Sequence, residues 1–428
     1  MGGVGSKNKA SVSLVEKRCL PSRQRFLSLR GGHVQSSPFK QRSVPHAKPH
    51  ICEETPSPEM DPLPTSTSMF LPEFPHRVGR NVHLQITGFI AKGSFGPILK
   101  VKDWAKDKTY AIKVLPKSEV LRLGVLEQSK EEVIIQRQLR HPFLLSLEDC
   151  WQSQRNLFIM CDYCSTGDLY TYWTLTGQFA EKEVRVFAAE LGSALGFLHD
   201  FGIMHRDVKM ENILLTEQGH LRLADFGLSR RLECGERAFT ICGTIQYMAP
   251  EVLGGGPYGH AADWWSLGIL LYALAAGEFP LPPEVDHTSM LTTVTDHLYE
   301  MPSSFSPGLA LLLTELLCKT PTHRLRCLER FKSQRFFSGV SFDSQMLTKA
   351  PVQPIIQLKD HPERPEKSAR GLTFEQLQNF DCDLLDSPTD LSQSLANAGI
   401  DHDAPGSCSD KAESQQKGLF PQLLLRDK

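Results

Sequence analysis

Residues 203–214 read IMHRDVKMENIL. Ile203, Met204, Val208, Met210, Ile213 and Leu214 are apolar and draw the segment toward a core. His205, Arg206, Asp207, Lys209, Glu211 and Asn212 are threaded between them. Carrying an unpaired charge into a core costs several kcal/mol per ion even after relaxation. Any fold that accepts this stretch must therefore leave the apolar residues unburied, or turn the polar ones toward something that needs them.

The 428 residues are 40% hydrophobic and 22% charged, which is globular composition long enough for a large domain or two plus tails. A formal net charge of −2 argues against a general nucleic-acid binder. Eleven scattered cysteines are not a disulfide framework and point to a reducing compartment. Cys161 and Cys164 form a CxxC, but no second pair stands at zinc spacing. The apolar run LGILLYALAAG (267–277) is too short to cross a bilayer, and the N-terminus lacks the apolar core of a secretory signal. Charge is uneven. Residues 1–50 carry ten Lys/Arg against one acid, whereas 360–428 carry thirteen acids and seven bases. Both ends lack apolar periodicity and read as largely disordered. Between Leu84 and Phe337 the pattern is dense: strand-type runs LQITGFIA, GPILKVKD and TYAIKVLP, a charged helical stretch over 119–139, two more strand candidates, then amphipathic helices from 168 on. Strands first and helices later suggest two lobes.

Several constellations fall inside that region. AKGSFGPILKV (91–101) places Gly93 and Gly96 between two strands, where a turn can bring backbone N–H groups close to phosphate. Two glycines in a hairpin can equally be only a turn. Lys113 stands among Ala, Ile, Val and Leu on a strand. It is either an edge lysine reaching for water or one half of a pair with Glu131 or Glu132 from the helical stretch. ILL after Asn212 and LRL at 221–223 read as a hairpin that brings Asn212 and Asp225 together, a pair of hard-oxygen ligands suited to magnesium. Asp207 is then free to accept a proton, and Lys209 to neutralise a transferring phosphoryl group. On this reading the polar residues of 203–214 face a phosphate and metal site.

The motifs in this order resemble the eukaryotic protein kinases: the glycine loop at 91–98, the strand lysine Lys113, HRDVKMEN, DFG at 225–227, APE at 249–251, DWWSLG at 263–268 and Arg324. The resemblance implies an α+β, two-lobed fold with disordered tails. A small β-rich lobe would cover about 84–163 and a large helical lobe about 164–337, with a basic segment (1–83) before the kinase domain and a C-terminal extension and acidic tail (338–428) after it. It implies ATP and Mg2+ as cofactors and assigns roles. Lys113, paired with Glu132, would hold the α- and β-phosphates, Asp207 would be the catalytic base assisted by Lys209, and Asn212 and Asp225 would bind metal. Ala91, Gly93, Ser94, Phe95, Gly96, Ile98, Ala111, Cys161, Asp162, Cys164, Asp168 and Leu214 would surround the nucleotide, with Cys161 at the gatekeeper position and Asp168 at the ribose. Glu251 would pair with Arg324.

Finer features resemble the AGC serine/threonine kinases, and within them the ribosomal protein S6 kinases. TICGTIQYMAPE (240–251) matches their activation segment and LLDSPTDLSQS (384–394) their turn motif. This implies regulatory phosphosites at Thr240 and Ser387, an upstream activating kinase, and protein substrates with basic residues before the acceptor. The sequence departs from the family pattern at Ala91, Pro97, Met210, Gln246 and Gln136, the last a polar amide where the family's spine is apolar. No F-x-x-F-[ST] motif follows Ser387, so the family's docking of that motif on its own small lobe is expected to be absent. The alternative to an active enzyme is a nucleotide-binding scaffold without turnover. MGGVGSKNK fits the N-myristoylation pattern with Gly2 as acceptor, and the basic residues behind it supply a second membrane signal. The expected location is cytoplasmic, with peripheral contact to a membrane face.

Overall fold

The computed structural model describes residues 70–76, 84–93, 96–359 and 361. Gly2, Ser94, Phe95 and Ser387 lie outside the described residues, as do the basic segment through residue 69 and the acidic tail.

Five strands open the fold: β1 (Leu84–Lys92), β2 (Pro97–Asp103), β3 (Lys108–Pro116), β4 (Leu147–Gln152) and β5 (Asn156–Asp162). They form one antiparallel sheet in the order β1-β2-β3-β5-β4. The alternation that marks PILKVKD as a strand is the observed one: Leu99 and Val101 are fully buried, with Ile98, Lys100 and Lys102 on the other face. Between β3 and β4 the expected single helical stretch is two helices, α1 (Lys117–Arg122) and α2 (Leu126–Gln138). Gly124 between them sits at φ 66, a left-handed conformation that ends α1 and that glycine adopts without steric cost.

The small-lobe core reaches outside the boundary drawn at residue 84. Leu71 and Phe74, read as part of a disordered segment, are buried among Leu115, Val120, Val133, Leu147 and Leu157. Burial of two such side chains contributes about 1.5–3 kcal/mol each toward ordering a short segment without regular structure of its own.

The second lobe contains α3 (Leu169–Thr176), α4 (Glu181–Asp200), the short strands β6 (Ile203–Met204), β7 (Ile213–Leu215), β8 (Leu221–Leu223) and β9 (Arg230–Arg231), then α5 (Pro250–Leu253), α6 (Ala261–Ala276), α7 (His287–Asp296), α8 (Pro307–Leu316) and α9 (Leu328–Lys332). AADWWSLGILLYALAA, which forms α6, is apolar nearly all round and therefore lies inside, packed on α4 and α8. Its length keeps it below a membrane span, and no described helix is long and apolar enough to cross a membrane. Two small helices, α10 (Ser344–Leu347) and α11 (Gln353–Lys359), follow. Val352 and Ile355 join the large-lobe core, and Val352 N–H donates to Gln218 O at 2.8 Å. The hairpin expected from ILL and LRL is β7–β8, with Ile213 opposite Leu223.

Candidate active site

The stretch 203–214 is a loop pinned by its apolar residues. Val208, Met210 and Ile213 are fully buried. The buried Asp263 of α6 accepts the backbone N–H groups of His205 and Arg206, both at 2.9 Å, and pairs with His199 Nε2 at 2.9 Å. These bonds hold Arg206 at φ 68, where a non-glycine residue needs such support. The His205 ring packs edge-on against Phe226, with centroids 5.3 Å apart, and its Nε2 donates to Ala224 O at 3.1 Å. Burial pushes the His205 pKa below the usual imidazole value and keeps the ring neutral.

The polar residues then meet each other. Asp207 Oδ1 accepts the Thr244 hydroxyl at 2.8 Å, and Oδ2 accepts from Asn212 Nδ2 at 2.9 Å and Lys209 Nζ at 2.8 Å. Lys209 also donates to Thr244 Oγ1 at 2.8 Å. The charges of Asp207 and Lys209 are thus partnered, and the carboxylate of Asp207 is held in one orientation.

Asn212 and Asp225 are brought side by side by the β7–β8 ladder, which continues with Ala224 N–H donating to Asn212 O at 2.8 Å. The Asn212 amide spends both hydrogens on Asp207, at its backbone O and at Oδ2, both 2.9 Å, leaving Oδ1 as an acceptor. Asp225 sits at φ 64 with a half-exposed side chain. Burial raises its pKa, but the charge of Lys113 outweighs that and holds the carboxyl below the usual range. One amide oxygen and one ionised carboxylate are the donor set a hard divalent cation takes.

Lys113 on β3 bonds both oxygens of Glu132 on α2, at 2.9 and 3.0 Å, and approaches Asp225 Oδ1 at 3.6 Å. Of the two glutamates that spacing left open, Glu132 is the one turned inward. Burial pulls the Lys113 ammonium down, yet Glu132 and Asp225 more than offset it and keep it charged, above the ordinary lysine range. Gln128 of α2 donates to Gly227 O and so ties the helix to the turn after Asp225. The Gln136 amide that departs from the family pattern is satisfied: its Nε2 donates to Leu145 O at 3.0 Å and contacts Cys161 Sγ at 3.7 Å. Burial pushes the Cys161 thiol up to about 12, with the charge of Glu132 adding to the effect.

Strand register puts Ala91, Ile98, Lys113 and Ile159 in one row and Ala111 beside Cys161 in the next, so these residues share one face of the sheet. Gly93 N–H donates to Gly96 O at 2.8 Å and closes the turn. A Cβ on Gly96 would lie 2.1 Å from Val114 O, so this close approach to β3 admits no side chain. Leu214 is half-buried on β7, bridged to Asp168.

Two residues expected at the nucleotide, Asp162 and Asp168, also have partners within the chain. The Asp162 carboxylate is taken by Arg222 at 2.6 Å and Lys108 at 2.8 Å, so only its backbone is available to a base. Burial raises the nearby Cys164 thiol to about 11. Asp168 caps α3, its Oδ1 accepting from Thr171 N and Oγ1 at 2.9 and 3.0 Å. Asp263, Thr244 and Gln128 are site residues to which the sequence reading assigned no role. Farther out, Arg324 is fully buried and bonds Glu251 through two contacts, 2.6 and 2.9 Å, while stacking 5.0 Å over Trp265.

The protein kinase domain family matches residues 84–337, more than half of the chain. The chain belongs to the protein kinase family. It is 53% identical to the human "Ribosomal protein S6 kinase-related protein" over 83% of this chain and 84% of that one. It is 33% identical to "cAMP-dependent protein kinase catalytic subunit 3" of Drosophila melanogaster over 70% of this chain and 54% of that one. It is 32% identical to the "RAC family serine/threonine-protein kinase homolog" of Dictyostelium discoideum, over 76% of each chain. These relatives belong to the AGC group, and the kinase is an ATP-dependent protein serine/threonine kinase whose family uses a divalent metal.

Proposed function

We propose that this kinase transfers the γ-phosphate of ATP, with magnesium as the divalent ion, to Ser or Thr of proteins with basic residues before the acceptor. The observation that carries this reading is the arrangement of Lys113–Glu132, Asp207, Asn212 and Asp225 around one cleft, each in a defined partner geometry. Lys113 holds the α- and β-phosphates while Glu132 fixes its reach. The substrate hydroxyl oxygen attacks the γ-phosphorus, the bond to the β–γ bridging oxygen breaks, and Asp207 takes the hydroxyl proton. Lys209, already beside Asp207, faces the transferring group and offsets its charge. Magnesium, when bound by Asn212 and Asp225, neutralises phosphate charge. His205 and Phe226, packed edge to face in the core beneath, keep the loop and Asp225 in register.

We assign substrate preference to Glu211, which is exposed on the catalytic loop, together with Asp168 at the start of α3. An arginine before the acceptor gains a charge-assisted bond there, about twice as strong as a neutral one. On a peptide array, sites of the R-x-x-[ST] type should be preferred, and Glu211→Ala should weaken that preference. A proline-directed or acidic preference overturns the assignment.

The same reading includes an anchor. Gly2 would carry a myristoyl chain, and the basic residues behind it, each worth about 1 kcal/mol near an anionic leaflet, would hold the kinase at a cytoplasmic membrane face. Intact-mass measurement of the N-terminal peptide from cells should show the acyl chain. A free or acetylated Gly2 overturns the anchor.

A further inference from the structure

Residues 70–76, FLPEFPH, lie on the small lobe beside α2, well ahead of the first strand. Leu71 and Phe74, three positions apart, are 5% and 0% exposed, whereas the neighbouring Phe70 is 94% exposed. The two buried side chains enter an apolar seam made by Leu115 of β3, Val120 of α1, Val133 of α2, and Leu147, Cys150 and Leu157 of β4 and β5. The backbone of the segment is read at each step. Glu73 O accepts from Arg137 of α2 at 2.9 Å, Phe74 O from Gln152 Nε2 at 2.6 Å, and Pro75 O from Gln152 N–H at 3.1 Å. Gln152 is itself oriented by Lys117 of α1, whose Nζ donates to its Oε1 at 2.8 Å.

The contacts converge on α2. That helix carries Glu132, the partner of Lys113, next to Val133, which touches the segment, and Arg137, which binds its carbonyl. No side chain caps the N-terminus of α2, so its placement depends on what packs against it. The segment therefore lies against the face of α2 that carries Val133 and Arg137, between that helix and the sheet edge.

We propose that Leu71 and Phe74 are positioning residues: the 70–76 segment is a brace, built into this chain, that holds α2 where Glu132 meets Lys113. It acts through Glu132 and touches no substrate. Because it is held by two apolar anchors and three backbone carbonyls, the same sequence supplied as a separate peptide can take its place. The inference rests on the role assigned to the Lys113–Glu132 pair.

The test uses the full chain carrying Leu71→Ala and Phe74→Ala together. Misplacement of a catalytic constellation by about 1 Å can cost up to about 100-fold, so kcat/KM for ATP should fall by about 10- to 100-fold. Amides of 126–138 should exchange with solvent faster than in the parent. A synthetic peptide spanning 67–79 should restore both readouts, and the same peptide with alanine at positions 71 and 74 should not. Phe74→Leu, which keeps an apolar anchor, should retain most of the activity. Unchanged α2 exchange in the double variant overturns the brace, and so does a loss that the peptide fails to reverse, which would mark Leu71 and Phe74 as ordinary core. Exchange at α2 needs no turnover, so failure of the brace is distinguishable from failure of the catalytic assignment, which transfer by the parent chain reports.

Discussion

Asp207→Asn should lower kcat for phosphate transfer by about 10²- to 10⁴-fold, the range a positioned general base supplies. The substitution is nearly isosteric and removes the charge that can take a proton from the substrate hydroxyl. The environment of Asp207 makes the loss specific. Its two oxygens accept from Thr244, Asn212 and Lys209, and the asparagine keeps one acceptor oxygen while presenting an NH2 where the other stood. Nucleotide affinity should change little, because the phosphate contacts assigned to Lys113 come from the opposite lobe. Measuring single-turnover transfer and nucleotide Kd in parallel checks both halves. Transfer near the parent rate would remove Asp207 from the base role. Weakened nucleotide binding with equal loss of transfer would instead mean that the loop had shifted.

The catalytic loop was legible because its polar residues have no tenable place except around a shared site. The β7–β8 hairpin, and with it the meeting of Asn212 and Asp225, could be read from two apolar triplets separated by a turn. What could not be read were bonds that close over long sequence distances. Thr244 belongs to a motif quoted from the sequence, yet nothing in its spacing shows that its hydroxyl returns to Asp207. Asp263 stands in an apolar run, and only the fold reveals that its carboxylate caps the backbone of His205 and Arg206. The 70–76 segment escaped for a different reason. Pro72 and Pro75 forbid regular structure, and two apolar residues are too few to show a period, so its burial depends wholly on the surface it meets. Gln136 stands out in the sequence as a departure from an apolar spine, because the sequence shows the amide but not the Leu145 carbonyl that satisfies it.

Thr240→Ala should leave the fold intact and lower activity by about 10- to 100-fold relative to the phosphorylated parent. Arg206 Nε donates to Leu228 O, and its guanidinium lies beside the Tyr258 hydroxyl, but among the described residues no carboxylate pairs with it. Asp207 beside it is already committed to three donors. Tyr258 in turn donates to Thr240 O at 2.6 Å, while the Thr240 residue itself is exposed. An unneutralised guanidinium therefore stands one hydroxyl away from a modifiable threonine. A phosphate there brings about −1.5 to −2 charges at neutral pH and can order the segment through Arg206. A hydrogen bond to a charged group is worth about 1.5–3 kcal/mol, which sets the expected factor. Phosphatase treatment should bring the parent down to the level of Thr240→Ala and leave the variant unchanged. A dephosphorylated parent that retains full activity would place the switch elsewhere and leave Arg206 with a purely structural role in fixing the loop that carries Asp207.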